Sequence, residues 1–131
     1  MSTLSEKVKA LLPQLLARGP VYLFALFERD DASGKWDVVL SAEWADRDAS
    51  SVVRDVSAEL VPKLTPEELS SLSRVVIIPS RSPAVSAMTS AMDVTGGQVV
   101  LVDTNVMGLQ VKNAYVFRAQ RALAVQPSAV Q

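Results

Sequence analysis

The stretch of this chain best equipped for chemistry is Ser80-Arg81-Ser82-Pro83-Ala84. Two hydroxyls and a guanidinium fall where an apolar β-branched run, Val75 to Ile78, gives way to a helical pattern. Free amides at a helix start attract anions, and a guanidinium adds a planar, two-pronged donor. The same residue types also serve plain structure. A serine caps a helix by accepting from an amide of the first turn, and proline suits the first helical position. Met88 and Met92 recur at helical spacing behind this start, and flexible thioethers fill core gaps as readily as they line adaptable grooves. Ser80, Arg81, Ser82, Met88 and Met92 are therefore the candidate ligand-binding residues, for a small anionic ligand, with capping and core packing as the competing roles.

Most other chemistry is excluded by what the chain lacks. It has no cysteine and no histidine, so disulfides, thiolate nucleophiles, serine-histidine triads and the usual zinc sites are impossible. There is no phosphate loop and no dinucleotide glycine fingerprint; Gly96-Gly97 reads as a turn pair. An enzyme built from this chain would have to use carboxylates, lysine, tyrosine or serine. The carboxylates beside aromatic residues are Asp37 and Glu43, next to Trp36 and Trp44. Strand alternation sets Asp37 on the face opposite Trp36, which implies no apolar pocket to raise its pKa. The acidic residues near Asp46 and at Glu67-Glu68 sit where helix dipoles favour negative charge. No catalytic residue, no metal site and no cofactor is expected.

A chain of 131 residues fits one domain. Hydrophobic residues at 49% against 21% charged place it among ordinary globular proteins. Residues 1–73 hold eight basic and twelve acidic side chains, and residues 74–131 hold five and two. The second part is thus weakly basic, far short of a nucleic-acid footprint, and no nucleic-acid partner is expected. The start, Met1 to Glu6, lacks the basic and apolar regions of a secretory signal, and no apolar run is long enough to span a membrane. With cysteine absent, the expected location is cytoplasmic.

The elements that must hold these residues are organised around a hairpin. Val21 to Phe27 is apolar at every position, as in a strand covered on both faces. Asp30 to Gly34 supplies turn chemistry. Lys35 to Ala42 alternates, with Trp36, Val38, Leu40 and Ala42 on one face and Asp37, Val39 and Ser41 on the other. The first strand should be central and the second nearer an edge. Leu4, Val8, Leu11, Leu12 and Leu15 predict an amphipathic helix over residues 4–18, kinked or broken at Pro13. A second helix, capped by Asp46 or Asp48, carries the stripe Ala49, Val52, Val53, Val56 and Leu60. Thr65-Pro66-Glu67-Glu68 is a capping box that opens a short helix to about Leu72. Val75 to Ile78 reads as a buried strand, and a short helix runs from Ser82-Pro83 toward Gly96-Gly97. Residues 98–103 and 109–118 form a second hairpin, with Leu109, Val111, Tyr115 and Phe117 sharing a face.

The expected fold is α+β: a single domain over residues 1–121 with a loose tail over 122–131. Its order is α-β-β-α-α-β-α-β-β, with an about five-stranded, mostly antiparallel sheet covered by two longer and two short helices. Two functional readings follow. The first is a non-enzymatic interaction or regulatory module, acting on a protein partner or on itself; three strands apolar on both faces need more cover than these helices supply, which argues for a symmetric homodimer. The alternative is a sensor that binds a small anionic metabolite near Arg81 or, less favoured, a histidine-independent enzyme.

Overall fold

The computed structural model describes residues 3–106 and 109–121. The tail expected over 122–131, and Met107 and Gly108 of the second hairpin turn, lie outside the described residues. Five strands, β1 (Leu23–Glu28), β2 (Trp36–Ser41), β3 (Leu72–Ile77), β4 (Val99–Val106) and β5 (Leu109–Ala119), form one sheet in the order β3-β2-β1-β5-β4. The all-apolar arm of the first hairpin is the middle strand, as two-sided apolarity requires. It pairs antiparallel with β2, from Leu23 opposite Ser41 to Glu28 opposite Trp36, and antiparallel with β5 on its other side. Gly34 turns the hairpin at φ 79°, a left-handed conformation that glycine adopts without a Cβ penalty.

The sheet is mixed, because β2 and β3 run parallel, with Val38 opposite Val75 and Leu40 opposite Ile77. A parallel pair cannot be joined by a tight turn. The crossover is helical: α3 (Glu43–Asp46), α4 (Ala49–Leu60), a 3₁₀ turn at Val61–Lys63 and α5 (Pro66–Ser71). Asp48 caps α4 by accepting from the Ser51 amide at 3.4 Å. Thr65 and Glu68 cap α5 reciprocally, at 3.2 and 2.9 Å. The helix expected over 4–18 is two, α1 (Leu4–Lys9) and α2 (Leu12–Arg18). The chain breaks at Ala10-Leu11, so Pro13 falls in the first turn of α2, where its missing N–H leaves no bond unmade. α6 (Pro83–Ala91) ends before Met92, short of Gly96-Gly97.

The sheet separates two apolar layers. On one side Phe24, Leu26, Val38, Leu40 and Phe117 pack against Val8 of α1, Leu11 at the break, Leu15 of α2 and Val52, Val56 and Leu60 of α4. Phe24 and Phe117 are fully buried with ring centroids 5.7 Å apart, a tilted contact of the kind aromatic pairs favour. On the other side Leu23, Ala25, Val39, Ala114, Val116 and Leu101 pack under Val85 and Met88 of α6.

Two expectations are corrected. β3 is an edge strand and only partly buried, because its pairing partner lies on one side alone. Val111 joins the α6 layer instead of the face of Tyr115 and Phe117. Asp103 takes φ 43° and drops out of the β4–β5 ladder between the pairs Val102–Asn113 and Thr104–Val111, so strict alternation does not survive that point.

Candidate functional site

The strand-to-helix corner at Ser80–Ala84 is built mainly by α3. The Ser80 amide donates to Asp46 Oδ1 and Oδ2 at 3.1 and 3.3 Å, and its hydroxyl donates to Oδ2 at 2.5 Å. A carboxylate of the chain itself therefore takes the hydrogen bonds that Ser80 offers to an anion. Ser82 caps α6, its Oγ accepting from the Ala84 amide at 3.2 Å. Arg81 is exposed and makes no hydrogen bond or ion pair among the described residues. With Asp46, Ala49, Ile77 and Pro79 it lines a shallow open cavity of about 320 Å³.

The methionines stand elsewhere. Met88 is 1% exposed and fills the core beneath α6. Met92, partly buried on the same layer, lines a second open cavity with Thr89, Ser90, Asp93, Gln120 and Arg121. The five candidate residues are thus distributed between a capped corner, a core position and the far end of α6.

Sequence reasoning missed three polar contacts that tie distant segments together. Asp37 is 9% exposed and accepts from Arg74 Nε at 3.2 Å, while its Oδ1 has no partner among the described residues. The parallel register that sets Arg74 beside Asp37 left no local trace. Tyr22 donates its hydroxyl to Glu43 at 2.5 Å. Burial first, and that bond second, push its phenol up to about 12. Trp44 Nε1 donates to the Pro20 carbonyl at 3.0 Å, with the Arg18 guanidinium 4.6 Å from the ring centroid. A Cβ on Gly19 would meet the Trp44 ring at 2.6 Å, at a φ of 149° besides. Glu43 and Trp44 hold the start of α3 in place, which is why carboxylate and aromatic lie together there.

The largest chemical contrast is between the two edges of the sheet. Along β3 stand Arg74 on Asp37 and Arg29 donating to Ser73 Oγ at 2.8 Å, and just ahead of the strand Lys35 donates to the Ser70 carbonyl of α5 at 2.6 Å. Cations on an edge discourage another strand from pairing there. β4 has no lysine, arginine or proline, and Asp103 is its sole charge. Leu101 points into the α6 layer, but Val100 and Val102, on the other face, are 53% and 63% exposed. Val100 lies opposite Tyr115, whose ring stacks on Trp36 at 5.6 Å.

No family model matches the chain, and neither a curated protein nor a solved structure matches it. Among the described residues no group of three or more acidic side chains could hold a metal ion, and no helix is long and apolar enough to cross a membrane.

Proposed function

We propose that this protein is a non-enzymatic interaction module that works as a self-associated pair, with β4 as its contact surface. The carrying observation is an edge strand with two half-exposed valines and no cation within the strand itself. Such an edge offers unpaired backbone donors and acceptors together with apolar side chains, the combination that recruits another strand. The polar chemistry near Ser80 supports this reading, since Asp46 and the α6 cap engage the groups a ligand would use. A cysteine-free chain suits a reducing compartment, and the cytoplasm is the location that goes with the proposal. Sedimentation equilibrium at micromolar concentration tests it: a species of twice the 14.1 kDa chain mass is expected, and a single-chain mass would overturn it.

One observation favours a second reading, a sensor for a small anionic metabolite. Arg81 is an unengaged guanidinium on an apolar-walled cavity. On that reading Arg81→Ala abolishes the thermal stabilisation given by an anionic metabolite found in a screen, and leaves the unliganded melting temperature unchanged. Equal stabilisation of both proteins would end it.

A further inference from the structure

Resting on the self-association proposed above, we infer how the two copies join: β4 pairs with β4 antiparallel about Leu101, on a twofold axis normal to the sheet, making one continuous sheet from both copies. Directly opposed residues of an antiparallel pair share a face and touch. An axis at Leu101 sets Val100 opposite the partner's Val102, and Val102 opposite the partner's Val100, so all four exposed valines meet another valine. An axis at Val100 would instead set Val102 against Gln98, and one at Val102 would set Val100 against Thr104. An axis at Asp103 would bring two carboxylates together, which opposes pairing. About Leu101, Asp103 faces the partner's Val99 at the margin of the pairing, and the joined ladder proper is Val100–Val102, ahead of the positive φ at Asp103.

The alternative of pairing β4 with β3 of another copy fails on two counts. Arg29, Lys35 and Arg74 guard that edge, and head-to-tail joining leaves an open β4 at one end and an open β3 at the other and propagates without closure. A twofold axis normal to the sheet uses up the open edge of each copy at once. It also keeps the α6 layers of both copies on the same side, with Leu101 beside the partner's Leu101.

The absence of native cysteine makes the register directly testable. Val100→Cys and Val102→Cys proteins, oxidised as a mixture, should form the mixed covalent dimer at least tenfold more than either protein alone forms its own. Efficient linkage of Val100→Cys to itself, or of Val102→Cys to itself, would overturn the register. In case a cysteine disturbs the edge, wild-type protein mixed from differently labelled copies provides a second reading. Intermolecular NOEs between Val100 and Val102 methyls are expected, and their absence in a sample that sediments as a dimer would overturn the register while leaving self-association standing. A single-chain mass for the wild type would remove both proposals.

Discussion

The two edges of this sheet bound the same five strands and differ in almost every property that governs strand pairing. β3 is reached through a helical crossover, lies parallel to its neighbour and is ringed by Arg29, Lys35 and Arg74. β4 is one arm of a hairpin, lies antiparallel to its neighbour and exposes Val100 and Val102. Edge strands are a hazard that proteins suppress where no partner is wanted. Suppression at one edge and its omission at the other are the observations on which the proposed contact at β4 rests.

Breaking what the edges have in common should have the largest effect. Phe24, fully buried in the middle strand against Phe117, supports both, and Phe24→Ala should cost about 3–5 kcal/mol. Chemical denaturation would show it. Amide protection should fall in β3 and β4 together; a loss below about 1 kcal/mol would mean that the ring carries little of the core.

The comparison is sharpened by placing one lysine on each edge. Val102→Lys should weaken self-association at least tenfold, roughly 1.4 kcal/mol, because it puts an ammonium opposite an apolar strand. Ser73→Lys, on the guarded edge, should leave the sedimentation profile unchanged. Equal effects from both would show that the edges do not differ in this respect.

Arg74→Ala removes one guard and the partner of Asp37. The arginine is itself 59% exposed, so water screens the pair and the expected cost is only about 1 kcal/mol. Some of that cost comes from leaving a buried carboxylate less well paired. A concentration-dependent rise in mass beyond that of the wild-type pair would show that the charge also blocks pairing at β3.

A further test concerns a contact on neither edge. The Tyr22 phenol is raised from 10.0 to about 12, so its contribution to stability is fully present below pH 10 and fades as pH rises toward 12. Melting temperatures of wild type and Tyr22→Phe, compared at pH 9 and near pH 11.5, should converge at the higher value. A constant difference would show that the phenol does not titrate in this way.

Local chemistry wrote much of this fold directly into the chain. Thr65 and Glu68 announce α5, Gly34 closes the first hairpin, and the apolar run ending at Phe27 identifies the middle strand. Each of these signals acts between residues a few positions apart, where spacing alone decides who meets whom. Even the break near Pro13 follows from one ring and one missing N–H. Of the candidate site, only the Ser82 cap was of this local kind.

The rest depended on tertiary structure. Asp46 reaches Ser80 and Asp37 reaches Arg74 across more than thirty positions, and no pattern in either segment names the other. Whether Val75 to Ile77 would be interior or edge turned on a crossover that placed it beside β2 on one side only. The same apolar composition at Val99 to Val102 reads as a buried strand until the strand order leaves its outer side open. Sequence sets what each segment can bury, through side-chain character and period. Only the assembled sheet decides which of those faces and edges find a partner within the chain.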